Sequence, residues 1–275
     1  MTRIMKTRRY NEVIGKYIFA SILIMIIIGT FYTPYDPIAI NLDNILSSPS
    51  WKHLLGTDQF GRDVFSRIMS AGRISASVSF FAVMIALVLG TFIGVIVGFW
   101  GGWVDRVFMV FLDALMALPG ILLALAIMMV IGAGMSALII ALGVAYTPNV
   151  ARLVRGIVLS IKQKEYIEAS KVLGNSKVYT VVFHVLPNCI TPLTVAVSSL
   201  FSAALLAESA LSFLGMGVPP PSPTWGGMLA DGKQYFSTAP WVSIFPGVVV
   251  SLTLLAVNLL GDALRDRFDP RMNNM

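Results

Sequence analysis

The chain has 275 residues, of which 56% are apolar and 12% are charged. Soluble globular domains usually contain about 25% charged residues, so this composition excludes a soluble domain and indicates a polytopic membrane protein. The net charge of +6 is not gathered into a basic stripe with aromatic residues, so no nucleic-acid partner is expected. One cysteine and two distant histidines indicate neither an internal disulfide nor a metal site.

Five stretches without Asp, Glu, Lys or Arg predict the membrane spans, because each can supply the roughly 20 residues that cross a bilayer. Lipid cannot satisfy open backbone groups, so the fold is predicted to be all-α, with about six transmembrane helices. The first leads into TPYDP rather than a small-residue cleavage site and is expected to be an uncleaved span. The helices are expected at residues 16–33, 78–100, 107–131, 134–152, 189–213 and 243–262.

The orientation follows from the distribution of Lys and Arg. With the amino terminus inside, fifteen of these residues lie on the inner side and five on the outer side. The positive-inside rule therefore predicts that both termini are cytoplasmic. Residues 1–77 would hold the N-terminal tail, the first span and an outer motif. Residues 78–275 would form a core of five spans with a cytoplasmic loop at residues 153–188.

An outer motif, GTDQFGRDVFSR, lies between the first two predicted spans. Thr57 and Asp58 are good N-cap residues, and Asp63 with Arg67 would form an i,i+4 ion pair on a short helix. A structural collar leading into the second span is favoured over direct contact with an external protein. The motif residues singled out are Gly56, Thr57, Asp58, Gly61, Arg62, Asp63 and Arg67.

Small residues and prolines in the spans bear on helix packing. Glycines at positions 90, 94 and 98 let a neighbouring backbone approach closely, and packing within one subunit is favoured over a dimer seam. Gly132-Ala133-Gly134 is suited to a tight hairpin between the third and fourth spans. Four prolines are expected to kink the spans: Pro119, Pro148, Pro192 and Pro246.

Polar groups inside spans are costly in lipid and therefore mark candidates for a translocation pathway. Asp113 lies about six residues into the third predicted span, and Glu208 lies near the outer end of the fifth. Asp262 ends the sixth span beside Asn258. Glu208, Asp113 and Asn258 are the pathway candidates. Helix–helix hydrogen bonding is the alternative, and it is favoured for Asp113 and Asp262.

The cytoplasmic segment EYIEASKVLGNSKVYTVVFHVLPN, residues 165–188, is predicted to form two short helices. Gly174-Asn175 would stop the first helix, since both residues tolerate the left-handed conformation. Ser176 would cap the second, which would run to Pro187. By residue pattern alone, a docking surface and an amphipathic helix resting on lipid headgroups remain equally open.

The segment resembles the coupling loop of ABC-type importer permeases, in which Glu-Ala-Ala is followed by Gly and then by an apolar-Leu-Pro triplet. Ser170 stands where the pattern has its second alanine. Three other stretches resemble the oligopeptide/dipeptide/nickel permease family: residues 56–67, residues 208–229 (ESALSFLGMGVPPPSPTWGGML) and residues 261–271 (GDALRDRFDPR). The resemblance is to the smaller, C-type member of the paired permeases. The coupling residues it implies are Glu165, Glu168, Ala169, Ser170, Gly174, Leu186 and Pro187.

The resemblance implies a type I ABC importer permease fold in the cell membrane of a prokaryote. Its implied partners are a homologous second permease, two cytoplasmic ATPases, an extracytoplasmic solute-binding protein and membrane lipid. Dipeptides or oligopeptides are the expected solutes, with nickel or a metal chelate as the alternative. The proline-rich stretch that begins at Pro219 opens an outer loop on which the binding protein could land.

No stretch matches the phosphate loop Gly-x-x-x-x-Gly-Lys-Ser/Thr, so ATP and magnesium would be used by partner subunits. The chain is expected to be no enzyme, with no catalytic residue and no cofactor of its own. An intramembrane enzyme would need a nucleophile and base or paired acids, whereas Asp113 and Glu208 lie towards opposite faces. A passive channel would not need a loop for docking an ATPase.

Overall fold

The structure is a computed structural model that describes residues 2–268 and the side chains of residues 10–266. The last three residues of the GDALRDRFDPR stretch lie outside the described part. Within that part the secondary structure is helical apart from one isolated β-bridge between Thr57 and Asp63. The helices are α1 (Thr2–Phe31), α2 (Val64–Trp100), α3 (Gly102–Met116), α4 (Gly120–Ile131), α5 (Met135–Ile161), α6 (Glu165–Val172), α7 (Lys177–Thr180), α8 (Leu186–Phe213), α9 (Trp225–Gly232) and α10 (Trp241–Phe268).

Five of the described helices are long and apolar enough to cross a membrane: α1, α2, α5, α8 and α10. A sixth span is present if α3 and α4, which meet at an angle of 90°, count as one. The predicted all-α fold with about six spans is confirmed.

The third predicted span, residues 107–131, is wrong as a continuous helix. It is divided between Met116 and Gly120, and the break contains Pro119. Proline lacks an amide hydrogen and disfavours the helical conformation of the residue before it, so α3 ends and α4 starts in a new direction. The other three prolines lie inside continuous helices.

Most spans are longer than the sequence predicts. α2 begins at Val64 rather than at residue 78, and α5 ends at Ile161 rather than at residue 152. At a rise of 1.5 Å per residue, α2 is roughly 55 Å long, whereas the hydrocarbon core is about 30 Å thick. The protruding turns can carry charge, so a charge-free stretch marks only the embedded part of a helix. The predicted division between residues 77 and 78 falls inside α2, which continues through it.

The glycine stripe of α2 packs against α5 of the same chain. The glycines at positions 90, 94 and 98 lie against Val150, Val154 and Val158, and a Cβ atom on any of them would overlap that surface. Packing within one subunit, as predicted, is confirmed. The predicted hairpin between α4 and α5 is also present. Its turn contains Gly132 and Gly134, whose φ values of 97° and 149° are accessible to glycine.

Candidate functional site

The coupling segment, defined here as residues 165–188, contains α6, α7 and a π-helical turn at Val181–Val185. α6 stops just before Gly174, whose φ of 79° lies in the left-handed region that favours glycine. The Ser176 hydroxyl accepts a 3.1 Å hydrogen bond from the amide of Tyr179 and thereby caps α7. The predicted glycine turn and serine cap are confirmed. The predicted end of the second helix at Pro187 is wrong, because the π-helical turn continues directly into α8 and Lys177–Phe213 is one helical stretch. Pro187 lies in the first turn after the π-helical turn, where the changed hydrogen-bond pattern accommodates its missing amide.

The inner face of the coupling segment is held by apolar packing and by two side-chain hydrogen bonds. Ile167 is fully buried in a cluster that includes Val185. The hydroxyl oxygens of Ser170 and Thr180 lie 3.1 Å apart, and the side-chain amide of Asn175 donates to Ser170 at 3.3 Å. Ser170, the departure from the family pattern, therefore faces the interior of the segment.

The outer face of the coupling segment combines acidic and apolar side chains. Glu165, Glu168 and Ala169 are exposed. Val172 is 86% exposed and Leu173 is 79% exposed. Monomeric soluble surfaces seldom present large apolar side chains side by side, so such a surface marks a contact with another protein or a membrane.

The coupling segment is joined directly to the spans. Its π-helical turn continues into α8, where Leu186 is half-buried and Pro187 is exposed in the first turn. The cluster around Ile167 also contains Phe99 of α2 and Val158 of α5. The segment therefore contacts three spans, α2, α5 and α8, through one apolar cluster.

An ion pair and a hydrogen bond fasten the inner end of α5 to its neighbours. Arg155 donates to both carboxylate oxygens of Asp105 in α3, at 2.5 and 2.7 Å. The Lys162 ammonium donates to the carbonyl oxygen of Phe99 at 2.8 Å. Sequence analysis did not single out these residues, because partners 50 or more positions apart form no local pattern.

Asp58 lies at the centre of the outer motif. Its Oδ1 accepts hydrogen bonds from the amides of Phe60 and Arg62 at 2.9 and 3.0 Å. Its Oδ2 lies 2.7 Å from Arg62 Nε and 3.3 Å from Arg67 Nε. Asp231 of α9 lies 3.6–3.8 Å from the same two guanidinium groups. Asp58 is therefore an acceptor for two buried arginines rather than the predicted helix cap.

Asp63 caps α2. Its Oδ2 accepts bonds from the amide and the hydroxyl of Ser66, both at 2.8 Å, and its Oδ1 lies 2.9 Å from His53 Nδ1. Both oxygens are occupied, so the predicted pair with Arg67 is wrong and Arg67 turns to Asp58 instead. The carboxylate of an N-cap residue bends back onto the first helical turn, which the i,i+4 rule does not take into account.

Backbone contacts tie the rest of the outer motif to α10 and to the preceding loop. The indole nitrogen of Trp241 donates to the carbonyl oxygen of Thr57 at 3.1 Å. The prediction that Thr57 caps a helix is wrong, because the residue that caps α2 is Asp63. Gly56 and Gly61 have φ values of 76° and 71°. A Cβ atom on Gly61 would overlap the carbonyl of Asn41. All seven residues singled out in the outer motif are buried.

The structure separates the three pathway candidates. Glu208 is fully buried and accepts hydrogen bonds from Ser212 at 2.9 Å and Ser209 at 3.4 Å. Asp113 is half-exposed and forms an ion pair with Arg152 across α3 and α5. Asn258 is exposed on α10. The three residues do not form one cluster.

A groove of about 330 Å³ lies between α5 and α8. Asn149 of α5 and Ser199 of α8 line it, and the Tyr146 hydroxyl at its edge donates to the carbonyl oxygen of Ala203 at 3.0 Å. Asn149 is exposed and lies one helical turn from Arg152. Asn149 and Arg152 are polar residues three positions apart in the fourth predicted span, and this polar pair was the sequence signal for the groove that was overlooked.

In the described residues no group of three or more His, Cys, Asp or Glu side chains could hold a metal ion.

Comparison with known proteins places this architecture in a family. Residues 90–274 match the family described as binding-protein-dependent transport system inner membrane component, and the chain belongs to that family. The protein is therefore a membrane permease, and its role is transport rather than catalysis. An importer of this kind also requires an ATPase, which uses ATP, and a solute-binding protein.

Relatives of known name are similar over nearly the whole chain. The dipeptide transport system permease protein DppC of Alkalihalophilus pseudofirmus is 39% identical over 262 residues, which cover 95% of this chain and 86% of that protein. The glutathione transport system permease protein GsiD of Pectobacterium atrosepticum is 39% identical over 269 residues, covering 97% and 89%. A putative peptide transport system permease protein of Brucella suis is 37% identical over 270 residues, covering 98% and 90%.

A solved structure supports the fold. A chain of the MetNI methionine ABC transporter in an inward-facing conformation superimposes with a TM-score of 0.60. The match covers 74% of this chain and 96% of that chain at 19% sequence identity. This likeness shows the type I importer permease fold and says nothing of the solute.

Proposed function

We propose that the chain is one of two non-identical permease subunits in an ATP-driven importer of short peptides. The observation that carries this proposal is the full-length similarity to permeases named for dipeptides, peptides and glutathione, itself a tripeptide. A binding protein would deliver the peptide to the outer side. Two ATPase subunits would then drive the pathway between outward-facing and inward-facing states.

The coupling segment is the proposed docking surface for an ATPase. Glu168 and Ala169 are exposed beside Val172 and Leu173, so both charge pairing and apolar contact are available. Gly174 gives the turn its shape without a side chain. The buried face under this surface belongs to the same cluster as α2, α5 and α8, which supports transmission of ATPase motion to the spans.

The face formed by α3, α5 and α8 is the proposed half of the translocation pathway. Three polar residues are exposed on this face: Asn149, Arg152 and Asp113. Polar side chains are costly against lipid, so their exposure favours a face that does not contact lipid. A water-filled pathway shared with the second permease would solvate them. Asn258 remains a pathway candidate. The burial of Glu208 and its side-chain hydrogen bond with Ser75 of α2 instead support a role in joining helices.

The outer motif is the proposed structural collar. Its charged side chains are buried against one another, so they offer little surface for direct contact with a binding protein. The exposed loop that begins at Pro219 and Pro220 is the better candidate for that contact.

Uptake by a strain that lacks this chain, with its partner genes intact, tests the solute. Restoring the chain should restore uptake of a radiolabelled dipeptide, and a parallel assay with labelled glutathione would show whether a tripeptide is also accepted. Restored uptake of nickel without any peptide uptake would overturn the peptide assignment while leaving the permease role in place.

Cysteine labelling tests the pathway face. Cys189 is the single cysteine and is buried, so its alanine variant provides a thiol-free background. Asn149→Cys in the assembled transporter should react with a small water-soluble thiol reagent. The matched control Val248→Cys, exposed and apolar on α10, should not react. An unreactive Asn149→Cys would place this face against lipid or tightly packed protein and contradict the proposal.

A further inference from the structure

An apolar groove of about 390 Å³ lies between α1, α2, α8 and α10. It is separate from the coupling segment and from the groove between α5 and α8. Aromatic rings from four helices line it: Phe19 of α1, Phe80 and Phe81 of α2, Phe201 of α8 and Trp225 of α9. A groove of this kind on a membrane-facing surface must be filled by a lipid chain or by another protein.

Arg73 is the charged side chain that lines the groove. It is exposed, and no described residue forms an ion pair or hydrogen bond with its guanidinium. Two other arginines do have acidic partners: Arg67 on the outer side pairs with Asp58, and Arg155 on the inner side pairs with Asp105. Arg73 therefore has donors available for an anion that the described chain does not supply.

The depth of Arg73 in the bilayer follows from the sequence of α2. The charge-free stretch that starts after Arg73 continues to the end of α2 at Trp100, about 40 Å of helix, while the hydrocarbon core needs about 30 Å. Arg73 therefore lies at the level of the outer headgroups. Phe81 lies eight residues further in, about 12 Å deeper along the helix. The groove has a cation at its outer end and aromatic walls towards the membrane centre.

We propose that this groove binds one phospholipid of the outer leaflet, with its phosphate on Arg73 and one acyl chain between the aromatic rings. A guanidinium forms paired, charge-assisted hydrogen bonds with phosphate oxygens. An apolar helix of another subunit would fill the walls but would leave the Arg73 charge without a partner. A phospholipid satisfies both ends of the groove at once, whether or not the transported solute is a peptide.

Lipid retention by the purified transporter tests the charge. The complete complex is reconstituted with phosphatidylglycerol, extracted into mild detergent and weighed by native mass spectrometry. Arg73→Gln should retain about tenfold less of this lipid, as expected for loss of one charge-assisted hydrogen-bonded contact. Lys52→Gln removes an exposed cation from an outer loop away from the groove and should retain as much lipid as the unmodified chain. Equal retention by Arg73→Gln and Lys52→Gln would overturn the proposal.

Crosslinking tests the occupant, and it does not require removal of Arg73. A photoreactive benzoylphenylalanine placed at Phe80 should form an adduct with phospholipid. A protein adduct at that position would show that a partner subunit covers the groove and would overturn the proposal. Reconstitution with diacylglycerol, which has the acyl chains but no phosphate, should give about tenfold fewer adducts than phosphatidylglycerol. Equal yields would remove the role assigned to Arg73.

Discussion

The outer motif and the coupling segment use their polar residues in opposite ways. In the outer motif, Asp58 and Asp63 point inwards, and each carboxylate is surrounded by donors from the same chain. In the coupling segment, Glu165 and Glu168 point outwards, and the segment is anchored mainly by Ile167. Charge within the outer motif serves the fold, whereas charge on the coupling segment is available to a partner.

This contrast has a physical cause. A buried charge without its partner is strongly unfavourable, so an internal ion network tolerates little change. An exposed charge or leucine contributes little to the stability of the free chain, and its effect appears only when a partner binds. Substitutions in the two regions should therefore fail in different assays, and the following variants test that separation.

The largest effect is expected from Asp58→Ala. It leaves the guanidinium groups of Arg62 and Arg67 buried without their nearest acceptor, which should destabilise the folded chain by about 3–5 kcal/mol. The measurement is the thermal unfolding temperature and the amount of protein recovered from the membrane. Asp231→Ala is the control, because Asp231 is half-exposed and more distant, and its loss should cost about 1 kcal/mol or less. Equal losses for the two variants would contradict the central role of Asp58.

Gly174→Val should abolish uptake while the protein still inserts into the membrane. A β-branched residue is strained at a φ of 79°, so the turn between α6 and α7 must change shape. Gly156→Val is the control, because Gly156 lies in the helix α5 and a Cβ atom there meets nothing within 4 Å. Uptake and membrane content are measured together. Normal uptake by the Gly174→Val variant would show that coupling does not depend on the shape of this turn.

Leu173→Asp should weaken the association with the ATPase without changing the stability of the free chain. Leu173 is 79% exposed, so it has little packing to lose. Aspartate at this position would place a charge without a counter-ion in an apolar contact, at a cost of about 1.4 kcal/mol or more, so about tenfold less ATPase should co-purify. Leu42→Asp, at a leucine that is 70% exposed on the outer side, should leave co-purification unchanged. Glu168→Lys should act in the same direction as Leu173→Asp, since it reverses a charge on the same face.

Local patterns predicted much of the coupling segment. Gly174 and Ser176 act through their own backbone and through a partner three residues away, so the sequence was sufficient to place the turn and the cap. Charge-free stretches likewise located the embedded parts of the spans. They could not give the helix ends, because α2 and α5 continue as helices into the polar layers.

Contacts between distant positions could not be predicted in the same way. Asp231 meets the outer arginines from a helix more than 160 residues away, and nothing in its own surroundings marks it. The competition for Asp63 was also hidden, because His53 and Ser66 occupy the oxygens that a simple spacing rule assigned to Arg67. Spacing shows which side chains can meet, whereas the fold decides which acceptor they meet.

Ser170→Ala gives the smallest expected effect and tests where the two faces of the coupling segment divide. It restores the family's alanine and removes the contacts of the serine hydroxyl to Thr180 and to Asn175. The total cost should be about 1–2 kcal/mol, since one hydrogen bond has a usual net value of about 1 kcal/mol. The Thr180 hydroxyl can still donate to the carbonyl oxygen of Ser176, at 3.2 Å. Hydrogen exchange should therefore become modestly faster in α6, while uptake and ATPase co-purification stay the same.

Thr180→Val is the matched variant for Ser170→Ala. It keeps the shape of the side chain but removes both hydroxyl contacts of Thr180, to Ser170 and to the carbonyl oxygen of Ser176, so exchange should rise in α7 as well as in α6. Loss of ATPase co-purification in Ser170→Ala without faster exchange would contradict this division, since it would mean that the serine hydroxyl reaches the partner. The buried position of Ser170 predicts the opposite: its hydroxyl acts within the segment, and the partner meets Glu168, Ala169 and Leu173.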